Sequence, residues 1–114
     1  MPKYSREVDG CRSFYATIHM AGDIDDARRV IREFTKIGAC VQLAPCQYVY
    51  TGGMEDGFTA RIMQYPRFPR IEKVICDMAV ELGDLLSFHL CQASYSVETR
   101  DRVSYFQSTE IEKK

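Results

Sequence analysis

Residues 65 to 70 read Tyr-Pro-Arg-Phe-Pro-Arg, and there the chain gathers groups able to hold a ligand. A residue before proline is pushed out of the helical region, and proline fixes its own φ near −65°, so Tyr65 and Phe68 are held extended. Arg67 and Arg70 are thereby offered from a stiff segment beside two aromatic rings. Arginine binds phosphate or carboxylate bidentately, and an aromatic face stacks on a planar ring. A second feature precedes it: Tyr50 leads into Thr51-Gly52-Gly53, where consecutive glycines can turn backbone N–H groups inward around an anion. Taken as one loop, residues 51 to 57 include three glycines and exceed the two residues that a hairpin needs. Tyr50, Thr51, Gly52, Gly53, Tyr65, Arg67, Phe68 and Arg70 are therefore the candidate ligand-binding residues, with the chemistry of a pocket for a planar ring carrying phosphate. The plainer alternative for 65 to 70 is a rigid connector whose second proline starts the next helix.

Other reactive types are scattered. Five cysteines, Cys11, Cys40, Cys46, Cys76 and Cys91, form no Cys-x-x-Cys pair, and His19 and His89 form no close ligand pair. A zinc site wants three or four ligands in such pairs, so no metal is expected. Cys40, Cys76 and Cys91 read as small buried hydrophobes. Cys46 follows Pro45 and stays open as a thiol, and His19 stays open as a lone base, but neither has a third member of a triad. No Walker loop or Gly-x-Ser-x-Gly elbow occurs. The expectation is no catalytic residue, no metal, no cofactor and no enzymatic activity.

The elements that position these residues follow from periodicity. Residues 12 to 20 alternate as a half-buried strand, with Phe14, Ala16, Ile18 and Met20 inward. Asp23 caps a helix through about residue 37, Ile24, Ala27, Ile31 and Phe34 fall on one face, and Gly38 stops it. Residues 39 to 50 form one bent strand or two short ones, with Pro45 marking an edge or bulge. A returning strand from Phe58 leads to a helix over about 70–90, whose apolar face comprises Ile71, Val74, Ile75, Met78, Leu82, Leu85 and Leu86. Gly83 within it invites close packing against the sheet. A closing hairpin around Arg100-Asp101 is expected to expose Tyr95, Tyr105 and Phe106. The order is βαββαβ plus an extra C-terminal strand: an α+β, ferredoxin-like two-layer sandwich with an antiparallel sheet.

Composition narrows the class further. A chain of 114 residues, 46% hydrophobic and 27% charged, fits one domain over 1–114, with an ordered core of about 12–108 and polar, frayed termini. A formal net charge of −1 gives no overall attraction to nucleic acid or to an anionic membrane. Tyr48, Tyr50, Tyr95, Tyr105 and Phe106 are of the types that form an RNA-stacking platform, but no glycine-aromatic segment of that kind is present. No apolar run approaches a membrane span or signal peptide, so a cytoplasmic protein is expected.

The segments CVQLAP, YVYTGG, YPRFP and SYSV together resemble small uncharacterised proteins of tailed bacteriophages and prophages, over roughly residues 12 to 98. The resemblance carries no catalytic residues. It implies a phage setting and favours binding over catalysis. The resulting expectation is a non-catalytic counter-defence protein that sequesters a small anionic, nucleotide-like ligand, assembled as a homodimer or higher homo-oligomer. The alternative is a protein inhibitor that docks on a host enzyme through a sheet face or edge.

Overall fold

β1 (Tyr15–Ala21) buries Ala16, Ile18 and Met20 on one face and turns Tyr15, Thr17 and His19 to the other. The structure, a computed structural model, describes residues 4–108. The fraying expected of the two termini falls largely on residues 1–3 and 109–114, outside the described residues. After β1, the Asp23 carboxylate accepts the Asp25 N–H at 2.7 Å and starts α1 (Ile24–Phe34). One 3₁₀ turn, Thr35–Ile37, follows, and Gly38 ends it in the left-handed region at φ 100°. β2 (Val41–Tyr50) and β3 (Gly53–Met63) form a long hairpin, α2 (Glu72–Leu90) recrosses the sheet, and β4 (Ser94–Glu98) and β5 (Val103–Gln107) close it.

The strands lie in the order β2-β3-β1-β4-β5, each antiparallel to its neighbours. This is the expected α+β two-layer sandwich, with β5 added outside β4. Both helices cover one face, where Phe58, Ile18, Ile75, Leu82 and Leu86 are fully buried. Among the described residues the other face carries no helix. Pro45 fits because β2 is an edge strand, where a missing N–H removes no ladder bond, and the strand runs through it in register with Phe58. Gly83 fits because a Cβ there would lie 2.3 Å from the Tyr95 ring.

Four expectations are corrected. The hairpin loop is not seven residues but the two-residue turn Thr51-Gly52, since Gly53 already pairs with Tyr50, and Gly57 sits inside β3. Tyr95 is not exposed. It packs under α2, its O–H donates to Asp84 Oδ1 at 2.7 Å, and burial, then Asp84, pushes the phenol above its ordinary range. Phe106 stacks on it at 5.0 Å and is half-buried, so Tyr105 alone of the three stands exposed. On α2, the inward face is Ile75, Met78, Ala79, Leu82, Gly83 and Leu86, while Ile71, Val74 and Leu85 lie outside it. The stripe is narrower than expected because Ala79 and Gly83 bring the helix close to the sheet. Cys40 and Cys91 are exposed and Cys76 half-buried: Cys40 precedes an edge strand, and Cys91 caps α2 in the left-handed region at φ 56°.

Candidate functional site

The chain between β3 and α2 closes on itself. The Gln64 side-chain amide bonds both backbone groups of Arg70: its Oε1 accepts the Arg70 N–H at 2.6 Å, and its Nε2 donates to the Arg70 carbonyl. Between these anchors Phe68 N–H donates to the Tyr65 carbonyl at 3.0 Å, and the Tyr65 and Phe68 rings stack with centroids 5.9 Å apart. The two prolines bias the extended backbone on either side, as the sequence requires. Arg70 ties the loop to the first helical unit: Nη2 donates to the Gly38 carbonyl at 2.7 Å, and Nη1 lies 2.9 Å from Met78 Sδ.

This loop walls a cleft of about 370 Å³. Its floor is Ile62, Ile75 and Met78 of the core, and its rim is Gly38–Cys40, Met63 and Gln64, with Tyr65 and Phe68 exposed at its mouth. The volume lies toward the lower end of the ~300–1,000 Å³ usual for small-molecule sites. Among the described residues Arg70 is the sole charged lining residue, and no Asp, Glu, His or Lys lines the cleft. The cleft can therefore stack a planar ring and accept an apolar or soft, sulfur-bearing group, and its other titratable side chains are the Cys40 thiol and the Tyr65 phenol.

A second group of chemical side chains lies on the helix-free sheet face. His19 Nε2 is 2.8 Å from Glu98 Oε1, and His19 Nδ1 is 3.1 Å from the Tyr48 hydroxyl. Tyr48 O–H is also 3.3 Å from the Phe58 carbonyl. Tyr48 reaches His19 by lying across β3 at Gly57, where a Cβ would meet its ring at 2.7 Å. Burial first, and the Cys46 thiol second, push the Tyr48 phenol above its ordinary range. Both His19 nitrogens are thus engaged within the protein. On the same face the Arg61 guanidinium lies 4.5 Å over the Tyr15 ring, and its buried Nε has no hydrogen-bond partner. A broader hollow of about 690 Å³ runs from Gly22-Asp23 to Cys46 and Asp56. Among the described residues no three of His, Cys, Asp and Glu cluster to hold a metal.

The structure brings Tyr65, Phe68 and Arg70 together at one cleft. It does not bring Tyr50, Thr51, Gly52 and Gly53 to them: those residues sit at the far end of the β2–β3 hairpin, ten residues of β3 away, or about 33 Å at the usual strand rise. Nor do the glycines form a loop nest, because Gly53 is paired in the ladder. Arg67 is exposed and outside the cleft lining. Gln64, Gly38 and Met78 were missed. Gln64 carried the one available signal, as a side chain with both a donor and an acceptor next to a proline-bracketed loop. The pairing of His19 with Glu98 depends on strand order, which periodicity does not give.

No family model matches the chain, and no curated protein matches it. Solved structures do. A phage SAM lyase in its apo state superposes with a TM-score of 0.64 at 17% identity, over 84% of this chain and 90% of that one. A phage SAM lyase in complex with S-methyl-5'-thioadenosine gives 0.65 at 17% identity, over 90% of this chain and 95% of that one. At this identity the likeness shows the fold, and the neighbours share a phage origin with the proteins that the sequence resembles. They also correct the functional expectation. The structural neighbours are enzymes in ligand-free and ligand-bound forms, which overturns both the non-catalytic sequestering protein and the docking inhibitor. The signal was out of reach of motif reading, because the likeness lies in the fold and not in any short segment of the sequence.

Proposed function

We propose that this chain is a lyase acting on S-adenosylmethionine or a close sulfonium analogue, with S-methyl-5'-thioadenosine as a product. The observation that carries the reading is the aromatic cleft at the β3–α2 loop, without a carboxylate or imidazole in its lining, on a fold shared with solved lyases of that substrate. Thioadenosine is released when the bond from the sulfonium sulfur to the amino-acid chain breaks and its electron pair stays on sulfur. A lyase adds no water, so the carbon left behind takes electrons from within the substrate. Either its own carboxylate closes on that carbon as a five-membered lactone, or a neighbouring C–H loses its proton to a base and an alkene forms. The cleft lining holds no carboxylate, imidazole or lysine amine to take that proton, which favours ring closure by the substrate carboxylate, a step that needs no proton transfer.

The cleft's physical character suits that step. Stacking between Tyr65 and Phe68 at the mouth and the purine supplies affinity, and an aromatic face attracts the sulfonium cation. Carboxylate and sulfonium annihilate each other's charge as the ring closes. A desolvated apolar wall of Ile62, Ile75 and Met78 disfavours the separated charges more than the transition state, so it lowers the barrier. The aromatic loop thus binds and orients, and the apolar floor excludes water. Removal of a methyl donor from a host cytosol accords with phage counter-defence. In this reading β5, a free edge with Val103 and Tyr105 exposed, supports a homo-oligomeric contact, checked by light scattering.

The test is direct. Purified protein incubated with S-adenosylmethionine is expected to release S-methyl-5'-thioadenosine, detected by chromatography with mass detection, and to bind that product by calorimetry. Absence of both release and binding at millimolar ligand would overturn the reading.

A further inference from the structure

The four cysteines outside the cleft, the His19 group, the broad hollow and the Arg61 site all lack a second feature that points to a ligand, whereas the β3–α2 loop shows a closed hydrogen-bonded unit around the site itself. We infer that Gln64 is a positioning residue: its side-chain amide, bonded to both backbone groups of Arg70, locks residues 64–70 into a ring that holds Tyr65 and Phe68 as a preformed platform for the purine. The inference rests on the lyase reading for its ligand, but not for its geometry.

The eight-residue connection between β3 and α2, residues 64–71, has freedom to sample many conformations, and each lowers the fraction of molecules ready to bind. Three devices remove that freedom here. Pro66 and Pro69 fix two φ angles and bias the residues before them. Gln64 replaces the missing ladder with two bonds from one half-buried amide, which commits one of its two N–H donors and one lone pair of its oxygen to the loop. Arg70 anchors the ring's end through its side chain to Gly38 and Met78. Arg70 thus commits two of its five N–H donors to the loop, both to uncharged acceptors, and Arg67 faces solvent. On the lyase reading the ligand class is a nucleoside with an uncharged or sulfonium 5'-substituent.

Gln64→Ala removes both bonds, and Gln64→Glu keeps the acceptor while losing the donor. If the ring is formed in only about a tenth of Gln64→Ala molecules, the apparent affinity falls by the same factor, so KM for S-adenosylmethionine rises about tenfold while kcat stays within about twofold. Gln64→Glu should fall between the two. A ligand-free readout accompanies the kinetics: by NMR, exchange of the Phe68 N–H should quicken about tenfold in Gln64→Ala, and the ring-current shifts of Tyr65 and Phe68 should collapse, with β1 and β3 amides unchanged. Wild-type exchange and ring shifts in a folded Gln64→Ala would overturn the clamp. So would a fall in kcat at constant KM, or a response in which Gln64→Glu is worse than alanine. Adenosine monophosphate competing as strongly as S-methyl-5'-thioadenosine would overturn the ligand class. A wild-type protein that releases no thioadenosine would sink the lyase reading and the purine assignment with it, while the exchange arm would still decide the clamp.

Discussion

The β2–β3 hairpin has two ends, and the sequence marked both. At one end Tyr50, Thr51, Gly52 and Gly53 form a minimal turn that projects away from the helices, with Val49 and Tyr50 exposed. At the other, β3 runs over Ile62 and Met63 into the ring of residues 64–70, backed by α2 and by the end of the first helical unit. The compositions looked equally suited to a ligand. What separates them is what stands behind each: the tip has only its own partner strand, while the loop has Ile75 and Met78 beneath it and Gly38 beside it. A concave site needs walls from several elements, and only the loop lies where several converge.

The largest contrast should appear in stability. Ile62 is 3% exposed and floors the cleft, so Ile62→Ala should cost ~2–5 kcal/mol in chemical denaturation. Val49 is 74% exposed near the tip, and Val49→Ala should stay within ~0.5 kcal/mol. Equal losses at both positions would mean that the tip is covered in solution and that the comparison is misdrawn.

Binding should separate the ends next. Base stacking on an aromatic side chain contributes ~1–3 kcal/mol per ring by alanine substitution, so Tyr65→Ala or Phe68→Ala should weaken S-methyl-5'-thioadenosine binding by ~10- to 100-fold. Tyr50→Ala should leave it within a factor of about two, since that ring lies about 33 Å away at the usual strand rise. Calorimetry on the three variants decides the matter, and a large effect at Tyr50 would require the tip of a second copy to reach the cleft.

A smaller effect is expected at Gly52, whose φ of 84° is the one left-handed position in the turn and has no atoms nearby for a Cβ to meet. Its role is conformational freedom, so Gly52→Ala should cost ~1 kcal/mol. Were it an anion nest instead, inorganic phosphate would raise the melting temperature of the wild type and not of the variant. The expected result is the same small response in both.

Much of the architecture followed from local rules. Alternation in β1, the Asp23 cap, the Gly38 stop and the spacing of Ile24, Ala27, Ile31 and Phe34 are properties of a few consecutive residues. Pro45 correctly announced an edge, and Gly83 announced close packing. The failures share one cause, which is register across strands. Whether TGGMEDG is a loop depends on Met54 through Gly57 pairing with Cys46 through Val49, and a strand with Gly and acidic residues looks like a turn until its partner is known. Tyr95 was assigned outward for the same reason: a polar tip on a strand reads as exposed unless Asp84 is known to face it. For the site, the sequence offered the aromatic pair and its stiff backbone, but could not tell that Arg70 reaches the Gly38 carbonyl, nor that the fold is shared with lyases.

The smallest effect belongs to the residue that the sequence pressed hardest. Arg67 sits between the two prolines, where stiffness seemed to aim its guanidinium at a ligand. In the structure the same stiffness turns Tyr65 and Phe68 toward the cleft mouth and leaves Arg67 exposed outside the lining. An exposed cation with no buried partner contributes little, so Arg67→Ala should change stability by less than ~0.5 kcal/mol and KM by less than about twofold. Arg70→Ala is the matched control: it frees the Gly38 carbonyl and one wall of the cleft, and should raise KM as Gln64→Ala does. If instead Arg67→Ala raised KM and Arg70→Ala did not, the ligand would carry an anion that reaches solvent beyond Phe68. The loop would then be a phosphate or carboxylate clamp rather than an aromatic platform.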